Sequence, residues 1–149
     1  MKVDILYRHN SAKGPEIRSH LLSCDADFIP RLSERVVITE YSEKLVRHAE
    51  RFEAWSSGKL IGLLAAYAND PNNELGYISN VSVASAWHGR GIAGNLVERC
   101  ISFLANKGYD KIKLEVGTAN TPALKLYKKW GFKMASNTEH TVPMWLLLK

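Results

Sequence analysis

The chain has 149 residues, 46% of them apolar and 23% charged, and its 20 Lys and Arg against 15 Asp and Glu leave a formal net charge of +5. That length suits a single domain, residues 1–149, with room for a substantial core. A mean hydropathy of −0.20 and the lack of any apolar run of transmembrane length exclude a bilayer-spanning helix. The basic residues are scattered, without a zinc, helix-turn-helix or aromatic-rich basic motif, so a nucleic-acid module is disfavoured despite a sequence pI of about 9.2.

The first residues, Met1-Lys2-Val3-Asp4, lack a signal-peptide pattern. Cys24 and Cys100 have no metal-ligand spacing, and two such cysteines without a secretory signal fit a reducing cytoplasm. Val3 to Tyr7 reads as a first strand. Residues 15 to 24 and 41 to 49 read as helices, separated by a segment that holds Asp27 and Pro30. Glu53-Ala54-Trp55, then Ser56-Ser57-Gly58, then Lys59 through Tyr67 reads as a β-hairpin. Asp70-Pro71-Asn72-Asn73 is a turn, and a central strand runs from about Leu75 to Val83.

Beyond that strand comes His88-Gly89-Arg90-Gly91-Ile92-Ala93, and then an amphipathic stretch. Ile92, Ala93, Leu96, Val97, Cys100, Ile101 and Leu104 recur at helical spacing, and Gly108 closes the run. The first backbone N–H groups of a helix have no partner within it, and the helix dipole adds positive charge there, so phosphates bind such an end when the backbone can come close. Gly89 and Gly91 permit that approach. No Gly-Lys-Ser/Thr follows, so this is no P-loop, and Gly89, Gly91 and Gly94 miss the dinucleotide fingerprint by one residue. By itself such a loop also serves as a plain strand-to-helix connector.

Lys111 to Val116 alternates polar and apolar, the pattern of a half-buried strand. In Asn120-Thr121-Pro122-Ala123-Leu124-Lys125-Leu126-Tyr127-Lys128-Lys129-Trp130-Gly131-Phe132, Thr121 suits an N-cap, Pro122 the first helical position and Gly131 a left-handed C-terminal cap. Lys125, Lys128 and Lys129 read as a solvated helix face. Phe132 to Ser136 and Thr141 to Leu148 read as a closing strand pair. Strands and helices in this order describe an α/β (α+β) fold, a mixed sheet flanked by helices.

Val81-Ser82-Val83, the His88–Ala93 loop, and Asn120 with Ala123, Leu126, Tyr127, Gly131 and Phe132 together resemble the GNAT superfamily of acyl-CoA-dependent N-acetyltransferases. The resemblance covers roughly residues 74 to 134. The family's loop pattern is Gln/Arg-x-x-Gly-x-Gly/Ala. Gly91 and Ala93 match it, and His88 stands where Gln or Arg is usual, which leaves open what the His88 side chain contributes. The resemblance implies a GNAT fold, with about seven strands, about four helices and two central strands that splay apart.

It further implies acetyl-CoA as the acyl-donor cosubstrate. The pantetheine arm would pair with backbone near Val81 and Val83. The pyrophosphate would meet the amides of His88, Gly89, Arg90, Gly91, Ile92, Ala93 and Gly94, and Asn120 would hydrogen-bond the pantetheine. Tyr127 would protonate the departing thiolate, and an amine would attack the thioester directly, so Cys24 and Cys100 are not nucleophiles. Tyr127 as a satisfied core tyrosine and Asn120 as a turn residue are the plainer alternatives.

For the general base, Glu74, Tyr77 and a water held by Asn80 stay open. The acceptor would be shaped by roughly residues 14 to 50, which hold Phe28, Arg31, Arg35, Tyr41 and His48. A small-molecule amine such as an amino sugar is preferred. A protein N-terminal or lysine acetyltransferase and a non-catalytic acyl-CoA sensor are the alternatives. A cytoplasmic location is expected, with no membrane or nucleic-acid partner, and a homodimer is left open.

Overall fold

The computed structural model describes residues 4–135 and 141–149. One seven-stranded sheet dominates it, in the order β1-β2-β3-β4-β5-β7-β6. The strands are β1 (Leu6–His9), β2 (Glu50–Ser56), β3 (Lys59–Tyr67), β4 (Leu75–Val83), β5 (Lys111–Gly117), β6 (Lys133–Met134) and β7 (Thr141–Leu147). Four α-helices flank it: α1 (Gly14–Cys24), α2 (Ile38–His48), α3 (Ile92–Asn106) and α4 (Thr121–Lys129). The expected mixed sheet and its element order are therefore present.

Several boundaries differ from expectation: α2 starts at Ile38 and not at residue 41, β2 starts at Glu50 and not at Glu53, and two further differences have a clear physical reason. The first strand runs from Leu6 to His9, not from Val3, because its partner β2 supplies rungs only from Trp55 to Phe52 before the Ser57-Gly58 turn intervenes. Val3 itself, like Ser136 at the expected end of the next-to-last strand, lies outside the described residues. The cap of α4 is Asn120, not Thr121: its side-chain oxygen accepts the Ala123 N–H at 3.3 Å, and the helix begins one residue earlier than its sequence pattern suggests.

The sheet is covered on both faces. One core joins Ile92, Leu96, Val97, Cys100 and Leu104 of α3 to Phe52, Leu64, Ile78, Ile112 and Leu114 of the sheet, with Tyr127 and Phe132 behind them. The other joins Ile17 and Leu21 of α1 and Leu45 of α2 to Trp55, Leu60, Leu63 and Ala65. The α3 stripe read from the sequence is thus the stripe that is buried, with Ala93 and Ile101 at its half-exposed margin.

A buried pair on β2 holds the second layer in place. The Arg51 guanidinium donates to the carbonyls of Leu45, Val46 and Ala49 at 3.1–3.2 Å, where α2 ends, and to Ala12 O at 3.4 Å. The fully buried Glu53 carboxylate accepts the N–H groups of Ser11 and Ala12 and the Trp55 indole N–H at 3.0–3.2 Å. The two charges stand 3.8 Å apart. Positive charge at the end of α2 and negative charge on the chain entering α1 complement both the helix dipole and each other.

Two features of β4 shape the site. It pairs in parallel with β5 only at Leu75, Gly76 and Tyr77, opposite Lys111, Ile112 and Lys113. Past that rung the strands diverge, as expected. On its other side, β4 pairs with β3 through a register shift: Ala65 meets Asn80 and Ala66 meets Ile78. Ser79 is the extra residue of a β-bulge, which turns Ser79 and Asn80 toward α1 and α2.

Candidate active site

The gap between β4 and β5 is one wall of a cleft of about 480 Å3. The loop after β4, the start of α3, the start and inner face of α4 and the end of α1 close it. Its lining contains Val81 and Val83, His88, Gly89, Gly91, Ile92, Ala93 and Gly94, and Asn120 and Tyr127. Of the residues expected to meet acetyl-CoA, only Arg90 is not part of that lining. Its guanidinium stacks over the Trp87 ring at 4.7 Å, and Trp87 faces the cleft instead.

The backbone of β4 presents its free side to this space. Ala84 N–H donates to Ile61 O at 2.8 Å, so Ala84 and Ser82 turn their backbone groups toward β3. By the alternation of an antiparallel ladder, Val83 and Val81 turn theirs toward the splay, where β5 has moved away. The Val83 carbonyl accepts a hydrogen bond of 2.7 Å from His88. A carbonyl can only accept, so Nε2 of His88 carries the proton there. His88 therefore ties the loop back to the end of β4.

At the start of α3, Gly91 has φ +76° and no side chain to cap the helix. The first helical bond is Asn95 N–H to Gly91 O at 3.0 Å, which leaves the amides of Ile92, Ala93 and Gly94 ahead of the helical ladder and against the cleft. A Cβ on Gly91 would meet no atom within 4 Å. The space it would occupy is open, which is the cradle that a phosphate needs beside uncapped amides.

Tyr127 is buried, its ring edge-on to Phe132 with centroids 5.7 Å apart. Burial pushes its phenol well above the ordinary tyrosine range, and the nearby Cys100 thiol adds to the effect. It is thus a neutral hydrogen-bond donor at any working pH. Cys100 is itself pushed up to about 12 by burial, and burial raises Cys24 also. Neither thiol is an activated nucleophile.

The candidates for a base separate clearly. Glu74 is exposed at the start of β4, where its carbonyl accepts Lys111 N–H, and it does not line the cleft. Asn80 is buried, and its side-chain oxygen accepts from Ser82 Oγ at 2.9 Å. Ser82 in turn takes a hydrogen bond from His20 Nε2 at 3.0 Å. Tyr77 stands at the last β4–β5 rung, raised by burial and by the neighbouring Glu115 carboxylate. Glu115, on β5 just past the splay, was not singled out in the sequence, where it is one more polar residue of an alternating strand.

Of the acceptor-side candidates, Tyr41 bonds Ser79 through their hydroxyls, Phe28 lines the cleft, and Arg31, Arg35 and His48 are exposed. Cys24 and Asp27 also reach the cleft, brought there by the turn that ends α1.

Burial lowers the His20 pKa from 6.5 to about 4. The unfolded chain binds this proton more readily, so the neutral imidazole's stability contribution is intact above pH 6.5 and lost as the pH falls to about 4. The expected loss is about 3 kcal/mol. Chemical denaturation at several pH values should show a shallower acid decline for His20→Asn. Parallel curves would remove His20 from this role.

A family model described as the acetyltransferase (GNAT) family matches residues 15–132. The chain belongs to the GNAT acetyltransferase family. It is 34% identical over 90 residues to N-alpha-acetyltransferase MAK3 of Arabidopsis thaliana, a match that covers 60% of this chain and 47% of that protein. It is 33% identical over 85 residues to N-acetylaspartate synthetase of Xenopus tropicalis, covering 57% and 31% respectively. The chain thus matches less than half the length of these curated relatives. A GNAT family acetyltransferase from Elizabethkingia anophelis with acetyl-CoA bound superposes at a TM-score of 0.74, with 22% identity and coverage of 98% of this chain and 99% of that one. The GNAT fold accounts for the splayed strands and for the loop at the start of α3.

Proposed function

We propose that the protein transfers an acetyl group from acetyl-CoA to a primary amine by direct attack on the thioester. The observation that carries this reading is the convergence on one cleft of three things: the backbone edge of Val81 and Val83 from which β5 has diverged, the uncapped start of α3, and the Tyr127 phenol. The amides of Ile92, Ala93 and Gly94 suit a pyrophosphate. The β4 edge suits the amide groups of a pantetheine arm, which can hydrogen-bond there as an added strand would. Asn120 lies on the same wall, although its side-chain oxygen is engaged with Ala123 N–H, leaving its NH2 as the group to meet a ligand carbonyl. His88 acts through the loop it anchors and not as a phosphate ligand.

When the amine attacks, negative charge passes to the thioester oxygen and then to sulfur as the C–S bond breaks. A neutral phenol aimed at that sulfur stabilises it. The ammonium proton must leave before attack, and it passes to solvent water at the open side of the cleft. The acceptor is read as a small-molecule amine. The match to an N-alpha-acetyltransferase supports a peptide amino terminus as the second reading.

The test is a thiol-release screen of an amine panel with acetyl-CoA, paired with thermal melting. Acetyl-CoA at about 100 times its Kd should stabilise the fold by about 2.7 kcal/mol, raising Tm by roughly 5–10 °C. No shift at millimolar acetyl-CoA would overturn the reading. In Gly91→Val, a branched side chain would project beside the uncapped amides, and we expect acetyl-CoA affinity to fall more than about tenfold, with about 1–2 kcal/mol of backbone strain. Gly58→Val is the control. Gly58 has a similar φ of +74° and equally open surroundings, but it lies in the β2–β3 turn outside the cleft. It should cost similar stability and leave acetyl-CoA binding unchanged. Equal binding by both variants would make the loop a mere connector.

A further inference from the structure

Among the described residues that line the cleft, Asp27, at its solvent-exposed edge, is the only Asp, Glu, Lys or Arg. It sits in the short turn Asp25–Asp27 that follows the last residue of α1. Its neighbour Asp25 is engaged, accepting both the amide and the hydroxyl of Ser33 at 2.7 Å. No hydrogen bond or ion pair engages the Asp27 carboxylate among the described residues, although Arg31 and Arg35 belong to the same segment. Cys24, at the end of α1, and Phe28 line the same part of the cleft as Asp27.

The cleft is therefore polarised. The α3 N-terminus contributes positive potential at one wall. The C-terminus of the 11-residue α1 and the Asp27 carboxylate contribute negative potential at another. A carboxylate in a cleft that takes a polyanionic donor works against donor binding unless a second ligand uses it. Phe28 lies beside it as an apolar wall.

We propose that Asp27 is the acceptor-recognising group, and that the protein selects acceptors entering as cations without a carboxylate next to the reacting amine. This rests on the acetyl-transfer reading above. An ammonium is drawn to Asp27 and held in the cleft until it loses its proton to water. A zwitterionic α-amino acid would set its own carboxylate against Asp27 and be repelled.

The experiment compares glycinamide with glycine as acceptors at saturating acetyl-CoA, in the wild-type protein and in Asp27→Asn, following thiol release. The wild type should prefer glycinamide, and the preference should shrink as salt is raised. Asp27→Asn should raise KM for glycinamide about fivefold with a smaller change in kcat, lower or leave unchanged KM for glycine, and not weaken acetyl-CoA binding. Asp27→Glu should restore the preference in part. Turnover of glycine and glycinamide with equal KM, or an unchanged KM in Asp27→Asn, would overturn the inference and leave the transfer reading standing. Absence of acetyl-CoA-dependent thiol release from both proteins with both amines would overturn the transfer reading and this inference with it.

Discussion

Tyr127→Phe is expected to lower kcat by about 10²–10³, the usual effect of removing one preorganised donor from a developing anion. The substitution removes one oxygen and keeps the ring, which packs edge-on against Phe132 in the core behind the cleft. Folding stability and acetyl-CoA affinity should therefore change little, and the loss should fall on the chemical step. Because burial holds the phenol far above its ordinary range, Tyr127 is suited to give a hydrogen bond to the leaving sulfur, not to surrender its proton early. The wild-type pH–rate profile should accordingly show no alkaline limb from this tyrosine below pH 10. Unchanged kcat in Tyr127→Phe across the pH range would remove Tyr127 from the reaction and return it to the core.

Glu53→Ala should destabilise the protein by about 3–5 kcal/mol. The carboxylate is fully buried and accepts from Ser11, Ala12 and Trp55. Truncation strands those donors and leaves the nearby Arg51 guanidinium without its counter-charge. Glu53→Gln keeps an acceptor in the same place and should cost less, with the difference reporting the charge. Denaturant unfolding monitored by tryptophan fluorescence reads both directly, since Trp55 is a partner of the carboxylate. A loss below about 1 kcal/mol in Glu53→Ala would show that solvent or a neighbour compensates. The pair also bears on the site, because it fixes where α1 begins and α2 ends, and hence where the turn that carries Asp27 arrives.

Much of the donor side was legible in the chain. The apolar stripe from Ile92 to Leu104 has helical period, and the glycines before it have no packing purpose that a strand or helix would give them. Both facts are local, and both hold in the fold. The same is true of β4, whose bounds Leu75 and Val83 are met. The cap of α4 was misread by one residue because Asn and Thr are comparable caps, and only the bond from Asn120 to Ala123 decides between them. Arg90 illustrates a different limit. Its place in the loop was certain, but the direction of its side chain depends on Trp87, onto which it stacks.

Sequence by itself determined the order of strands and helices, the face each helix buries, and a glycine-bearing helix start that follows a strand, because periodicity and backbone freedom are written residue by residue. Only the tertiary structure decided what lies opposite that helix start. The divergence of β5 from β4, the bulge at Ser79, the burial of Arg51 with Glu53, and the arrival of Asp27 and Phe28 at a cleft built mostly from residues 81 to 127 all arise between segments remote in the chain. The physical reason is that a side chain's periodicity tells which way it faces within its own element, whereas a site's charge and shape depend on which other elements packing brings to meet it.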